Sequence, residues 1–228
     1  MLTAIAIVPA PPLIVPDLMG GAAAEMAGRR TAVTAAAAGL PGRWVAVGVG
    51  AADATFGPER SGTFAGYGVD VAVSLGPTGD AAPTELPLCA LIAGWIRGQV
   101  APHAAAEVRA YASSSSADAA VAQGRRLRAE VDESADPVGV LVIADGANTL
   151  APSAPGGYRP ESVAEQQRLD EALTGGDCAA LTRLSVGIVG RVGYQILAGL
   201  AHPAPRQARE LFRGAPYGVG YFVGVWLP

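Results

Sequence analysis

Apolar residues along this chain follow two periods. Short runs that are apolar at most positions, Thr3 to Val8, Arg43 to Val49, Val69 to Leu75, Glu107 to Ala112 and Val138 to Ala144, have the length and β-branched content of strands. Those around Val47 and Leu141 are apolar on both alternations, as in strands covered on both faces. Between them, Asp17 to Gly39, Leu86 to Val100 and Asp118 to Val131 carry apolar residues at helical spacing. The first of these opens after Pro16-Asp17 and closes at Gly39, a start and a stop that fit helix ends. This alternation predicts one three-layer α/β/α domain over residues 1–228, with a mixed, mainly parallel sheet.

The later part of the chain changes character. Glu161 to Leu173 and Asp177 to Leu184 predict amphipathic helices, and Arg191 to Leu200 a shorter one. Glu210 to Arg213 and Val219 to Trp226 flank the turn-rich Gly214-Ala215-Pro216-Tyr217-Gly218 and predict a C-terminal antiparallel hairpin. Gly50 to Gly68 and Asp145 to Pro160 show neither period and read as long loops, a setting that often carries function in compact domains.

Composition narrows the classes. With 228 residues, 50% hydrophobic and 16% charged, the chain has enough apolar material for a full core. No run of about 18 apolar residues is present to span a bilayer. Met1 to Val15 is apolar, but no basic residue precedes it and Pro9, Pro11 and Pro12 interrupt it, so a cytoplasmic protein is expected. A net charge of -4 gives no broad positive field for nucleic acid. Arg125, Arg126 and Arg128 alternate with Glu130, Asp132 and Glu133 as on a solvated helix face. Cys89 and Cys178 lack Cys-x-x-Cys spacing and are expected as buried free thiols. All 16 basic residues are arginine, which excludes Schiff-base lysine chemistry and a Walker-type phosphate lysine. Alanine and arginine richness points to a GC-rich, actinobacterial source.

Most local motifs fail their own tests. Gly48-Val49-Gly50-Ala51-Ala52-Asp53 follows a strand, but Asp53 replaces the third glycine of a dinucleotide turn and no helix follows. Ser113 to Ser116 reads as a helix-entry loop rather than a nucleophile cluster. His103 and His202 are the only histidines, lie beside prolines, and have no partner at metal-ligand spacing.

Several segments taken together carry a resemblance: Val8 to Asp17 after the first strand, Ser61 to Asp70, Ile143-Ala144-Asp145-Gly146, and Ala215-Pro216-Tyr217-Gly218-Val219-Gly220-Tyr221-Phe222-Val223. Over essentially its whole length the chain resembles the class III extradiol ring-cleavage dioxygenases, the LigB-like superfamily, and within it a compact actinobacterial branch described as subunit-B-like. The resemblance implies a three-layer α/β/α fold and, in active members, ferrous iron held by two histidines and a glutamate. The implied positions are occupied otherwise. Ala10 stands where the first histidine belongs, Ala51-Ala52 near the second, Gly190-Arg191 in the glutamate zone, and Asp145 to Asn148 where an acid–base histidine would lie. Alanine and glycine side chains donate no electron pair to a metal. No iron cofactor is therefore expected, and the leading expectation is a non-catalytic or diverged small-ligand-binding protein.

Positions after predicted strands and at helix starts supply the candidate site: Asp53, Asp145, Asn148, Arg191 and Tyr194, with Asp17, Tyr158 and Tyr217 as further liners. Asp145, Asn148 and Arg191 would make a polar clamp for a small anionic or hydroxylated ligand. Each also has a structural reading: Asp17 as a helix cap, Asp145-Gly146 as a strand-ending turn, Arg191 as a helix-start ion pair, Tyr217 as hairpin packing. The alternative is an enzyme of this fold, either a dioxygenase with unorthodox metal ligands or a metal-independent hydrolase or isomerase using Asp145 as its acid–base group. Tyr221, Phe222 and Trp226 leave room for a homo-oligomer contact, with packing inside the fold as the other explanation.

Overall fold

The computed structural model describes residues 1–78 and 82–228; nothing is described of the side chains of residues 22 and 23. In chain order the elements are β1 (Leu2–Val8), α1 (Ala27–Ala37), β2 (Arg43–Gly50), β3 (Ala54–Phe56), β4 (Ser61–Thr63), β5 (Ala72–Ser74), α2 (Leu88–Val100), β6 (Ala105–Ala112) and α3 (Ala117–Asp132). There follow β7 (Val138–Ile143), α4 (Glu161–Gly175), α5 (Cys178–Leu181), α6 (Arg191–Leu200), β8 (Gln207–Gly214) and β9 (Tyr221–Leu227).

Seven strands form the main sheet in the order β3-β6-β2-β7-β1-β9-β8. Pairings β6–β2, β2–β7 and β7–β1 are parallel, whereas β9 lies antiparallel to β1 and β8 antiparallel to β9. The mixed sheet and its C-terminal hairpin are as the alternation predicts. Strand residues divide between two cores by period two. Ala46, Leu141 and Ile143 pack with α1 and α2 on one face, while Val45, Val47, Val140 and Val142 pack with α3, α4 and α6 on the other. That double coverage explains why the central strands are apolar at successive positions.

Four expectations need correction. The segment read as a helix from Asp17 is a series of 3-10 turns at Pro12–Ile14, Pro16–Leu18 and Gly20–Met26, and α1 begins only at Ala27. Pro11, Pro12 and Pro16 bring no N–H to an α-helical ladder, and Gly20 sits at φ +51°. Asp17 is exposed and caps nothing through its side chain. The strand expected over Val69 to Leu75 is the three-residue β5, which pairs with β4 in a separate two-stranded sheet. The stretch from Gly50 to Gly68 is not bare loop, since β3 joins the edge of the main sheet through β6.

Tyr221, Phe222 and Trp226 are buried within the fold, with the Trp226 indole donating to the carbonyl of Leu173 at 2.9 Å, so they offer no surface for a second copy. Cys89 and Cys178 are free and buried. Arg128 pairs with Asp132 one turn away on α3 and also reaches the Leu200 carbonyl of α6, and Ser116 caps α3 by accepting from the Ala119 amide. No helix among the described residues is long and apolar enough to cross a membrane.

Candidate functional site

Because β1, β2, β6 and β7 are parallel, their carboxyl ends meet at one end of the sheet, where α2 and α6 begin. A cavity of about 250 Å³ opens there, lined by Ala10, Val49, Leu88, Cys89, Ser113, Ile143, Ala144, Asp145, Val189 and Gly190. Its walls are apolar apart from a few groups. Asp145 is the sole carboxylate among the lining residues, Cys89 brings a thiol, and Ser113 a hydroxyl.

The backbone carrying Asp145 is held on every side. Tyr194, fully buried on α6, donates its hydroxyl hydrogen to the Ala144 carbonyl at 2.8 Å. The Gly190 amide donates to the Asp145 carbonyl at 2.8 Å, and the Val189 amide to the Gly146 carbonyl at 3.1 Å. Gly146 donates to the Gly220 carbonyl, and Gly220 donates in turn to that of Ala147, each at 2.8 Å. The side chain of Asp145 accepts from the Ala10 amide at 2.7 Å through Oδ1. Burial pushes this carboxyl up to about 6, against which the single bond from Ala10 works only in part. The same burial lifts the Cys89 thiol to about 11, so it is neutral at physiological pH.

Glycines set the shape of the cavity. A Cβ on Gly190 would lie 2.6 Å from the Ala144 methyl and 2.6 Å from the Asp145 carbonyl oxygen, so no side chain fits at this wall. A Cβ on Gly48 would lie 2.2 Å from that of Cys89, which is why the start of α2 can rest on β2.

The sequence-derived residues separate in space. Asp145 lines the cavity and Tyr194 braces it from behind. Arg191 starts α6 beside Gly190, but its guanidinium turns to the carbonyls of Ser113 at 3.2 Å and Ser115 at 3.4 Å. It makes no ion pair among the described residues. Asn148 lies further along the 145–160 loop against Gly156, and Asp53 receives the Ala112 amide and the Gln123 side chain, tying β3 to β6 and α3. Asp145, Asn148 and Arg191 therefore do not assemble into a clamp. Tyr217 donates to Glu25 at 2.9 Å outside the cavity, and Tyr158 is exposed.

Cys89, Ser113, Val189 and Gln166 carry roles that sequence reasoning did not assign. Gln166, 7% exposed, accepts from the Ala147 amide at 2.8 Å and donates to Asp170 at 2.8 Å, filling the space above Gly146 and Gly220. Its signal was present: Ser162, Gln166, Leu169 and Leu173 fall on one helical stripe, and a glutamine within an apolar stripe needs buried partners. No comparable signal marked Cys89.

The fold is shared with a solved bacterial structure. An uncharacterized protein from Escherichia coli K12 matches with a TM-score of 0.56 at 11% identity, covering 99% of this chain and 100% of that one. At that identity the likeness extends to the architecture alone. No family model and no curated protein matches the chain.

The cavity offers a poor donor set for ferrous iron. Around the cavity stand one carboxylate, one neutral thiol and one hydroxyl, whereas oxygen-activating iron is typically held by two imidazoles and a carboxylate. His103 is exposed before the amino end of β6 and His202 is exposed after the carboxyl end of α6, both at the ends of these elements remote from the cavity. Among the described residues no group of three or more histidine, cysteine, aspartate or glutamate side chains is placed to hold a metal ion. These residues do not fit the iron of the resembled enzymes.

Proposed function

We propose that this chain is a diverged LigB-like protein that binds a small molecule in the cavity at the carboxyl ends of β1, β2, β6 and β7, without iron-dependent ring cleavage. The observation that carries this reading is the convergence of Ala10, Asp145 and Gly190, distant in sequence, on one cavity. These are positions at which the resemblance places a histidine, an acid–base group and the glutamate zone. Alanine and glycine there preserve a hollow without metal donors, and the bonds around Asp145 hold one polar group in a fixed place. The two buried free thiols, in the cores on opposite faces of the sheet, are compatible with a reducing, cytoplasmic setting.

The test is cavity filling. A ligand-observed NMR screen of small fragments against the wild type and Ala10→Leu should give hits that the substitution abolishes while the fold is retained. Hits indifferent to Ala10→Leu would sink the reading.

A second reading rests on one observation, the carboxyl of Asp145 pushed up to about 6 in an apolar cavity. A general acid or base performs best when its pKa lies near the working pH. On that reading the chain is a metal-independent hydrolase or isomerase. Turnover that survives chelators and vanishes in Asp145→Asn would establish it over simple binding.

A further inference from the structure

Resting on the cavity reading above, the chemistry of the walls narrows the ligand. Asp145 lines the cavity with Ala10, Ile143, Ala144, Val189 and Gly190, the hydroxyls of Tyr194 and Tyr221 lie close enough to feel its charge, and its carboxylate has a single hydrogen-bond partner among the described residues, the Ala10 amide on Oδ1. Oδ2 has no hydrogen-bond partner among the described residues and is not among the fully buried unpaired atoms, so this oxygen of a cavity-lining residue keeps some accessible surface. Among the described residues no arginine forms an ion pair with this carboxylate, and Arg191, which follows Gly190 of the cavity wall, spends its guanidinium on two backbone carbonyls at the rim.

The amino ends of α2 and α6 also point toward this end of the sheet, and helix amino ends favour anions. Here several of their donors are already engaged. Gly190 and Arg191 donate to the carbonyls of Asp145 and Ile188, and Ala90 and Leu91 at the start of α2 donate to that of Pro87. What remains unsatisfied is an acceptor carrying a formal charge in an apolar enclosure, which is costly unless a cation joins it.

We infer that the cavity takes a small apolar amine, a primary or secondary ammonium on a compact hydrocarbon or aromatic body, with the ammonium donating to Oδ2 of Asp145. The volume of about 250 Å³ equals roughly eight waters at ~30 Å³ each, enough for a single ring with a short side arm. A carboxylate on the same body would meet Asp145 as a like charge. An alcohol can donate one hydrogen bond but leaves the charge uncompensated.

Three probes on one frame test this: phenethylamine, phenethyl alcohol and hydrocinnamate, titrated into the full chain at pH 7.5 by calorimetry and ligand-observed NMR. The amine should bind best and weaken by about tenfold or more in Asp145→Asn. The alcohol should change little, and Ala10→Leu should abolish both. Circular dichroism of each variant confirms the fold. Tighter binding of hydrocinnamate or of the alcohol, amine binding indifferent to Asp145→Asn, or no amine binding at all overturns the inference. If hydrocinnamate or the alcohol binds best and is lost in Ala10→Leu, the cavity stands as a site and the cation assignment falls. If a probe binds indifferently to Ala10→Leu, the cavity reading itself falls.

Discussion

The backbone amide of Ala10 donates to Oδ1 of Asp145 across 135 residues of sequence at 2.7 Å. This bond closes the loop after β1 onto the loop after β7 and fixes the one carboxylate of the cavity. Its geometry survives replacement of the acid by its amide, since an asparagine oxygen can still accept from Ala10.

Asp145→Asn therefore isolates the charge. Burial lifts the folded carboxyl to about 6 from an ordinary 3.8, so the folded state binds this proton more tightly than the unfolded chain does. The linked stabilisation is present in full below about pH 4 and is lost as the pH rises through about 6. Asp145→Asn should be more stable than the wild type at pH 7.5, by on the order of 2–3 kcal/mol, with the difference vanishing near pH 4. Urea unfolding at the two pH values measures it, and equal differences at both would contradict the cause assigned here.

Gln166 should prove structural rather than ligand-contacting. Gln166→Leu strands the Ala147 amide and removes the donor to Asp170, at an expected cost of about 1–3 kcal/mol. The change appears as a lower urea midpoint with an unaltered slope. A neutral outcome would mean that the loop around Gly146 and Gly220 is held well enough without it.

Helices α3 and α6 approach through glycine. A methyl on Gly124 would lie 2.1 Å from the Ile196 carbonyl oxygen, and one on Gly199 2.1 Å from that of Val121. Alanine gains about 1 kcal/mol in helix propensity over glycine, but forced separation of packed backbones costs more, typically 1–3 kcal/mol and occasionally beyond. Gly124→Ala and Gly199→Ala should each lower thermal stability despite the better propensity. A rise in melting temperature would refute the close approach.

Cys89 reports on the cavity. With its thiol pushed up to about 11, roughly one molecule in a thousand is thiolate at pH 8, so methyl methanethiosulfonate should react with it far more slowly than in the urea-unfolded chain. Ala10→Leu should slow Cys89 further and leave Cys178, outside the cavity lining, unchanged. Equal slowing of both thiols would point to a global effect on opening.

Particular elements explain what the sequence could and could not show. β7 reads directly from Val138 to Ile143 because a strand buried on both faces admits only apolar or small residues. β4 and β5 span three residues each, too short for any period, and exist because they pair with one another. Asp145 was visible as an acid following a core strand. Asp53 and Asn148 looked equivalent to it, yet their positions depend on long-range loop closure, Asp53 onto Ala112 and Gln123, and no local pattern encodes that. Cys89 reaches the cavity only because Gly48 lets α2 settle on β2, a contact between distant segments.

Anaerobic loading with ferrous iron, followed by desalting, metal analysis and oxygen uptake with catechol, tests the central claim most directly. A hollow built on Ala10 and Gly190 with the lone carboxylate of Asp145 should retain well under one iron per chain and show no catechol-dependent oxygen uptake. One tightly held iron per chain, with oxygen consumed on addition of catechol, would contradict it.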